Sequence, residues 1–349
     1  MHTVYSWKHM LRGAVACAVI AASSMTAFAG APSYLEQVDP QLRPALEQNS
    51  SLDFNQAGVL EDINRRARSL VGSPDLPKDE AVHVYDVYIP RAGDSETLRL
   101  RIYKPVQAEA SLPGIYWIHG GGFLFGVPEQ DEAQSIRFAK DVGAVVVSVD
   151  YRLAPKYPYP AAIDDSYAGL KWFFDNAAAL GVDQRRIAVA GASAGGNLCA
   201  AVALMARDKG EIRPVFQMPL YPMLDDRMDS PASREVMDMR VWNNVSNVFA
   251  WKAYIGDAVG TDKATPYMAP ARAENLSGLP PAYICVSTLD PFRDDTIRYA
   301  QRLAQAGVPV EFHLYPRAYH AFEAIAKGTA YSERAIDEYV RVLNEALHP

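Results

Sequence analysis

A serine stands at the centre of the stretch GASAGGN, residues 191–197, whose first five residues form the pattern G-x-S-x-G. In that pattern the serine occupies a strained turn between a strand and a helix, so its hydroxyl stands clear of the backbone. The predicted helix beginning at Ala194 directs its partly positive N-terminus toward Ser193. A serine hydroxyl is a poor nucleophile without a base, so the pattern also requires a histidine close by in space.

His320 is the histidine best placed to be that base. It follows the last predicted strand, whereas the other six histidines lie near the chain ends, inside β-type runs or directly before a glycine run. An imidazole base needs a carboxylate that holds its tautomer and stabilises its charged form. Asp290 directly follows another predicted strand, while Asp294 and Asp295 are explained as charges at the start of the next helix. The resulting order, Ser193 then Asp290 then His320, is that of α/β-hydrolases.

Three successive glycines occur in HGGGF, residues 119–123, after an apolar run that ends at Ile118. An acyl group under attack develops a negative oxygen, and each donor preset for that charge is worth about 3–4 kcal/mol to the barrier. Glycine lets the backbone itself approach closely, because no side chain intervenes. We therefore predict an oxyanion hole made by the N–H groups of Gly121, Gly122 and Ala194. A merely flexible loop is the alternative.

Alternating strands and helices position these residues. Continuous apolar runs predict strands, and the stretches between them have helical spacing, which together indicate a doubly wound, mostly parallel sheet with helices on both faces. Two earlier segments, AVHVYDVYIP and TLRLRIYKP, alternate apolar and polar residues and predict an antiparallel hairpin at one edge. The predicted strands are 114–118, 144–149, 186–190, 282–287 and 310–315, and the predicted helices are 129–141, 161–180, 194–208, 294–306 and 332–347.

Two helical regions lie outside that alternation and predict a cap over the strand ends. One falls within residues 30–78, ahead of a hydrolase domain at 79–349, and the other is an insertion at about 223–275. Apolar side chains near the glycine loop and from the cap are candidates for a substrate pocket, with simple cap packing as the alternative. These are Phe123, Leu124, Phe125, Trp242, Phe249 and Trp251.

The N-terminal 29 residues have the features of a secretory signal. They carry Lys8 and Arg12, a short apolar core and small residues that predict cleavage after Ala29, hence a secreted or periplasmic protein without stable membrane insertion. A membrane anchor would need about 20 apolar residues, and a lipoprotein at Cys17 would leave almost no apolar core. Loss of two bases takes the net charge from −7 to −9.

The remaining composition excludes some partners. Lysine and arginine do not cluster, so no nucleic-acid partner is expected. Cys199 and Cys285 lie in apolar segments and are predicted to be free buried thiols, with a disulfide as the alternative. Neither a metal nor a cofactor is expected, and the sequence does not predict the oligomeric state.

The chain resembles the esterases of the α/β-hydrolase superfamily that are similar to hormone-sensitive lipase, bacterial family IV. Six stretches across residues 80–345 carry the resemblance: HGGGF, DYRLAPKYPYPAAIDD, GASAGGN, LDPFRDD, AGVPVEFHLYP and HAF. The resemblance implies an N-terminal helical cap, small to medium acyl esters as substrates and no cofactor, and it supports the catalytic and oxyanion residues named above. Departures at Ala192, Lys156, Arg317 and Ala321 bear on substrate preference and pH behaviour rather than on the catalytic groups.

Other functions remain compatible with these motifs. The same triad would cleave an amide, formamide or carbamate, because the oxyanion has to be stabilised in every acyl transfer. A non-catalytic binding protein, like the gibberellin receptor of this fold, is disfavoured because all three triad residues are present. A long-chain lipase is disfavoured because no extended apolar lid helix is evident. The leading interpretation is a serine carboxylesterase for short- to medium-chain esters.

Overall fold

An eight-stranded sheet forms the centre of the structure, a computed structural model that describes residues 33–91, 95–107 and 111–349. The predicted signal segment lies outside the described residues. The strands are β1 Val82–Pro90, β2 Thr97–Pro105, β3 Leu112–Ile118, β4 Val145–Val149, β5 Val182–Ala192, β6 Phe216–Leu220, β7 Ala282–Leu289 and β8 Val310–Tyr319. Their spatial order is β1-β2-β4-β3-β5-β6-β7-β8.

The sheet is parallel except at one edge. The pairs β1–β2 and β2–β4 are antiparallel, and every other neighbouring pair is parallel. The predicted edge hairpin and the mostly parallel sheet are therefore confirmed. Because the parallel strands share one direction, their carboxyl ends meet at a single edge of the sheet, where ligands bind in folds of this kind.

Helices connect and cover the strands. They are α1 Tyr34–Gln37, α2 Arg43–Gln48, α3 Val59–Arg68, α4 Glu132–Asp141, α5 Ala161–Asp175, α6 Ala177–Leu180, α7 Ala194–Lys209, α8 Pro231–Glu235, α9 Asn244–Ile255, α10 Arg293–Gln305, α11 Phe322–Ile325 and α12 Ala330–Leu347. Short 3₁₀ helices occupy Pro128–Asp131, Gly256–Ala258 and Pro270–Arg272. No helix in the described ranges has the length and apolarity needed to cross a membrane.

Two apolar cores lie on opposite faces of the sheet. Along β4, Val145 and Val147 belong to one core and Val146 to the other, because successive side chains of a strand point to opposite faces. The first core includes Leu198 of α7, and the second includes Leu343 of α12. Burial on both faces is why the central strands are continuous apolar runs rather than alternating ones.

Strand β6 is absent from the sequence prediction. Its five residues, FQMPL, contain Gln217 and Pro219, which are unusual in a central strand. The buried Gln217 amide donates a hydrogen bond to the carbonyl of Pro280, 2.9 Å away. Neighbours distant in the sequence therefore make the strand stable. Cys199 and Cys285 are buried and unpaired, as predicted.

Candidate active site

Ser193 sits in a sharp turn between β5 and α7. Its backbone has φ 58° and ψ −117°, a left-handed conformation that costs a non-glycine residue strain energy. Its N–H donates to the carbonyl of Leu220 at 2.9 Å, which holds the turn against the end of β6. A side chain at Gly195 would collide with the carbonyl of Ile118, so only glycine permits this approach of helix to strand. The hydroxyl is thereby held at the carboxyl edge of the sheet.

Ser193, His320 and Asp290 form one hydrogen-bonded chain. His320 Nε2 lies 2.9 Å from Ser193 Oγ, and Nδ1 lies 2.7 Å from Asp290 Oδ2. The other oxygen of Asp290 accepts the N–H of Phe292 at 2.8 Å. Asp290 is completely buried and His320 almost so. The structure thus brings together three residues that are 97 and 30 positions apart along the chain.

Aromatic rings enclose the imidazole. Tyr221 and Phe292 make T-shaped contacts with His320, with ring centroids 5.0 and 5.1 Å away, and Trp242 lies at 6.4 Å. These rings exclude water from most of the imidazole, so the interaction with Asp290 acts in a medium of low dielectric constant. The geometry suits a histidine that takes the Ser193 proton while Asp290 holds its Nδ1–H.

The glycine loop faces Ser193. Gly121 has φ 122° and its carbonyl accepts the N–H groups of Leu124 and Phe125, at 2.9 and 3.1 Å. No acceptor in the described part of the chain takes the N–H of Gly121 or Gly122. Ala194 is the first residue of α7, where an N–H has no partner within the helix. All three predicted oxyanion donors are therefore left available beside the serine.

His119 holds that loop in place rather than acting as a base. It is fully buried, its Nδ1 lies 2.8 Å from the carbonyl of Gly120, and its ring stacks on Tyr151 at 4.2 Å. The Tyr151 hydroxyl donates to the His119 carbonyl at 3.0 Å. Burial lowers the pKa of His119 to about 4, so the ring is neutral at physiological pH.

A cavity of about 240 Å³ opens at Ser193. Of the six predicted pocket residues, Phe125 and Trp242 line it, together with the oxyanion glycines. Residues that the sequence analysis missed complete the wall: Asn49, Leu52, Gln130, Asp131, Tyr221, Ala321, Ala324 and Ile325. They come from four separate segments, so no sequence pattern connects them.

The other four predicted pocket residues do not line that cavity. Phe123 and Trp251 are fully buried, and Phe123 stacks on Tyr254 with centroids 3.9 Å apart. Leu124 is also fully buried and borders a different surface cleft. Phe249 packs against Phe54 at 5.8 Å. For these four the prediction is corrected: they pack apolar surfaces together, as the alternative interpretation held.

Two acids near the cavity, the half-buried Asp131 and the buried Glu323, have altered pKa values. Burial raises the pKa of Asp131 to about 6, although its Oδ2 accepts the Trp117 indole N–H at 2.8 Å. Burial also raises the pKa of Glu323 to about 7, opposed by a hydrogen bond from Tyr221. Neither acid belongs to a sequence motif. Their partners are distant in the chain, so their environment could not be inferred from their neighbours.

One group of carboxylates in the described residues is close enough to share a cation. Asp225, Asp229 and Asp295 bring one oxygen each within 4.8 Å of one another. None of the three lines the cavity at Ser193. At Ser193 itself the protein supplies a nucleophile, a base with its carboxylate, and backbone donors.

The fold and this arrangement define a serine hydrolase of the α/β-hydrolase class. A model of the alpha/beta hydrolase fold family matches residues 115–324. The chain belongs to this family, in the group of esterases similar to hormone-sensitive lipase.

Relatives that are 36–38% identical to this chain are esterases, and the match covers most of the length of each protein. Esterase LipI of Mycobacterium tuberculosis is 38% identical over 291 residues, 83% of this chain and 89% of that protein. Carboxylesterase NlhH of the same species is 36% identical over 313 residues, 89% and 97% of the two chains. The solved structure of a bacterial heroin esterase superposes with a TM-score of 0.84 at 34% identity, over 90% of this chain and 99% of that one. The chain is accordingly a carboxylic-ester hydrolase.

Proposed function

We propose that Ser193 hydrolyses short- to medium-chain carboxylic esters through an acyl-enzyme intermediate. The observation that carries this proposal is the unbroken hydrogen-bonded chain from Ser193 Oγ through His320 to Asp290, open to a cavity at the serine. His320 takes the serine proton as Oγ attacks the acyl carbon, and then returns it to the leaving alcohol. Water activated by the same imidazole releases the acid.

The N–H groups of Gly121, Gly122 and Ala194 stabilise the oxyanion of each tetrahedral intermediate. Because these donors are fixed in place before the reaction, they cost no reorganisation when the charge develops. Asp290 holds Nδ1–H toward itself, which keeps Nε2 free to accept the proton from Ser193. Each group thus stabilises the transition state more strongly than it stabilises the bound ester.

The size of the cavity supports a preference for small acyl groups. Its volume of about 240 Å³ is below the roughly 300–1,000 Å³ of pockets that hold drug-sized ligands. Phe125 and Trp242 supply apolar walls, and Ile325 adds another. Acetyl to hexanoyl esters are therefore the expected substrates, with activity falling for longer chains.

The regions 30–78 and 223–275 are proposed to act together as a cap. The N–H of Leu52 donates to the carbonyl of Met239 at 2.8 Å, and Ser246 Oγ donates to the carbonyl of Leu52 at 2.6 Å. Phe54 also packs on Trp242, with centroids 5.9 Å apart. These contacts join the two regions above the cavity residue Trp242, so cap movements would change access to Ser193.

A secreted or periplasmic location is proposed from the N-terminal 29 residues. Their basic start, apolar core and small residues before Gly30 support cleavage after Ala29. Cell fractionation followed by intact-mass measurement tests this. A mature chain beginning at Gly30 in the exported fraction supports it, and an uncleaved cytoplasmic chain overturns it.

The activity is tested with the full-length chain and its Ser193→Ala variant on p-nitrophenyl esters from acetyl to palmitoyl. We expect turnover of the short esters that disappears in Ser193→Ala. A matched p-nitroanilide of the best acyl group separates ester from amide cleavage. Activity that survives in Ser193→Ala would mean another nucleophile. A folded wild-type protein that turns over the anilide but no ester would assign the amide alternative.

A further inference from the structure

A second buried carboxyl group, that of Glu323, lies near His320. Glu323 lies three residues after His320, in the first turn of α11, and is only 2% exposed. Its Oε1 accepts a short hydrogen bond from the hydroxyl of Tyr221. The ring of Tyr221 in turn makes a T-shaped contact with the imidazole of His320, at an interplanar angle of 79°. The acid is thus linked to the base of the proposed reaction through one aromatic side chain.

The backbone on both sides fixes the position of Tyr221. Its N–H donates to the carbonyl of Cys285 at 2.8 Å, and its neighbour Leu220 accepts the N–H of Ser193. Tyr221 has φ 33°, an uncommon conformation for a non-glycine residue. These contacts hold the Tyr221 ring in place, so the hydrogen-bonded pair Glu323–Tyr221 packs against one side of His320.

The second oxygen of Glu323 is unsatisfied. Oε2 is buried with no hydrogen-bond partner in the described residues. Glu323 lines a cavity of about 210 Å³, separate from the one at Ser193 but sharing Asp131 with it. Burying a charged carboxylate with one unbonded oxygen costs free energy. Burial therefore disfavours the ionised form of Glu323 and raises its pKa. The carboxyl therefore changes charge near neutral pH.

Several other titratable groups face Glu323. Asp131 disfavours its ionisation and His320 favours it. Arg137, Lys327 and Glu333 line the same cavity. The remaining neighbours are neutral at physiological pH because burial raises the pKa of each one: Tyr221, Cys285, Tyr315, Tyr319 and Tyr339. Among the charged groups, only His320 both changes charge during the proposed reaction and is held against Tyr221.

We propose that Glu323, held in place by the Tyr221 hydroxyl, is a positioning residue for His320, and that its negative charge stabilises the imidazolium formed during ester hydrolysis. This inference rests on the proposed function of Ser193 and His320. The interaction is reciprocal: a negative Glu323 favours the charged imidazole, and a charged imidazole favours the negative Glu323. Glu323 thereby stabilises the imidazolium that forms when His320 takes the Ser193 proton, and strengthens catalysis where Glu323 is ionised.

The substitution Glu323→Gln keeps the shape and an oxygen that accepts the Tyr221 hydroxyl, but removes the charge. We expect the titration of His320 to move down by roughly 0.5–1 pH unit, as for a single charge interacting at an effective dielectric constant near 20. The acid limb of the pH profile of kcat/KM moves to lower pH by the same amount. At the pH values of the plateau, kcat falls about 3- to 10-fold with KM unchanged.

Glu333→Gln is the matched control. Glu333 lines the same cavity and loses the same charge, but its side chain is 48% exposed and pairs with Arg137. We expect neither the limb nor kcat to change measurably, because solvent screens this carboxylate. Tyr221→Phe is the second test: it removes the hydrogen bond that favours the ionised form of Glu323, so Glu323 stays protonated to higher pH and this variant should also show the lower His320 titration.

The experiment follows His320 by heteronuclear NMR of the histidine-labelled full-length chain, beside ester kinetics over pH. A lower His320 titration in Glu323→Gln and in Tyr221→Phe, but not in Glu333→Gln, supports the proposal. An unshifted His320 in an active, folded Glu323→Gln overturns it and leaves the esterase function standing. A shifted His320 in a protein without esterase activity overturns the function and leaves the electrostatic link. If Glu323→Gln does not fold, an unshifted His320 in Tyr221→Phe overturns the proposal.

Discussion

The substitution Asp290→Asn tests the triad most sharply, because the structure dictates which way the new amide must point. Oδ1 of Asp290 accepts the N–H of Phe292 at 2.8 Å, and Oδ2 faces His320 Nδ1 at 2.7 Å. In the asparagine variant the amide oxygen must stay with the Phe292 N–H, since an NH₂ group there would oppose another donor. The NH₂ group is then left facing His320 Nδ1.

That orientation forces the wrong tautomer on the imidazole. With a donor opposite Nδ1, the neutral ring carries its proton on Nε2, 2.9 Å from Ser193 Oγ. A protonated Nε2 cannot accept the serine proton. We expect kcat to fall by about 10⁴, equivalent to about 5 kcal/mol of transition-state stabilisation, with little change in KM.

Steady-state hydrolysis of p-nitrophenyl butyrate measures this loss, with thermal unfolding to check that the buried substitution leaves the fold intact. Asp294→Asn is the control, because Asp294 is the neighbouring acid that competes with Asp290 in the sequence and its Oδ2 binds the N–H of Ala232 instead. We expect its kcat to stay within about threefold of wild type. A loss of less than tenfold in Asp290→Asn, or equal losses in both variants, would refute the tautomer argument.

Three further predictions concern the oxyanion loop, the pocket and a distant acid. Gly122→Ala places a methyl group against the Trp242 indole and should lower kcat about 100-fold. Gly256→Ala is its control: the φ angle of Gly256 is 58°, close to the 59° of Gly122, but its surroundings are open, so this variant should keep wild-type kinetics. Trp242→Ala should enlarge the cavity and so raise the ratio of kcat/KM for the decanoate ester to kcat/KM for the butyrate ester at least about tenfold. Trp251→Ala should cost about 3–5 kcal/mol of stability with no change in that ratio. A changed ratio in Trp251→Ala would contradict the corrected pocket. Burial, and then a neighbouring carboxylate, raise the pKa of Asp295 to about 7, so its proton stabilises the folded state at low pH and that stability is lost as the pH rises from about 4 to 7. Urea unfolding should therefore show Asp295→Asn more stable than wild type by about 2–4 kcal/mol at pH 8 and nearly equal to it at pH 4, and equal effects at both pH values would show that the acid is not protonated in the fold.

Residues at the ends of predicted strands could be assigned to the site from the sequence. Ser193, Asp290 and His320 each follow an apolar run that becomes β5, β7 or β8. Parallel strands bring their carboxyl ends to one edge, so knowing the fold class and the chain order was enough to expect them together. The glycine loop after β3 follows the same rule.

The pocket could not be assigned in that way. Phe123, Trp242 and Trp251 are equally aromatic in the sequence, but only Trp242 lines the cavity at Ser193. Which face of a loop or helix turns inward depends on what packs against it, and Phe123 turns toward Tyr254. Strand β6 was missed for a related reason, since the side-chain NH₂ group of Gln217 donates to a carbonyl 63 residues away.

The sequence alone therefore determined the class of fold, and it predicted the nucleophile, its base and acid, and the oxyanion loop, because each depends on a short motif and on the direction of an adjacent strand. Only the tertiary structure decided the lining of the cavity, the contact of Glu323 with Tyr221 and the environment of Asp131. These depend on pairs of residues far apart in the chain. Their burial, and hence their charge and orientation, exists only once the separate segments have packed together.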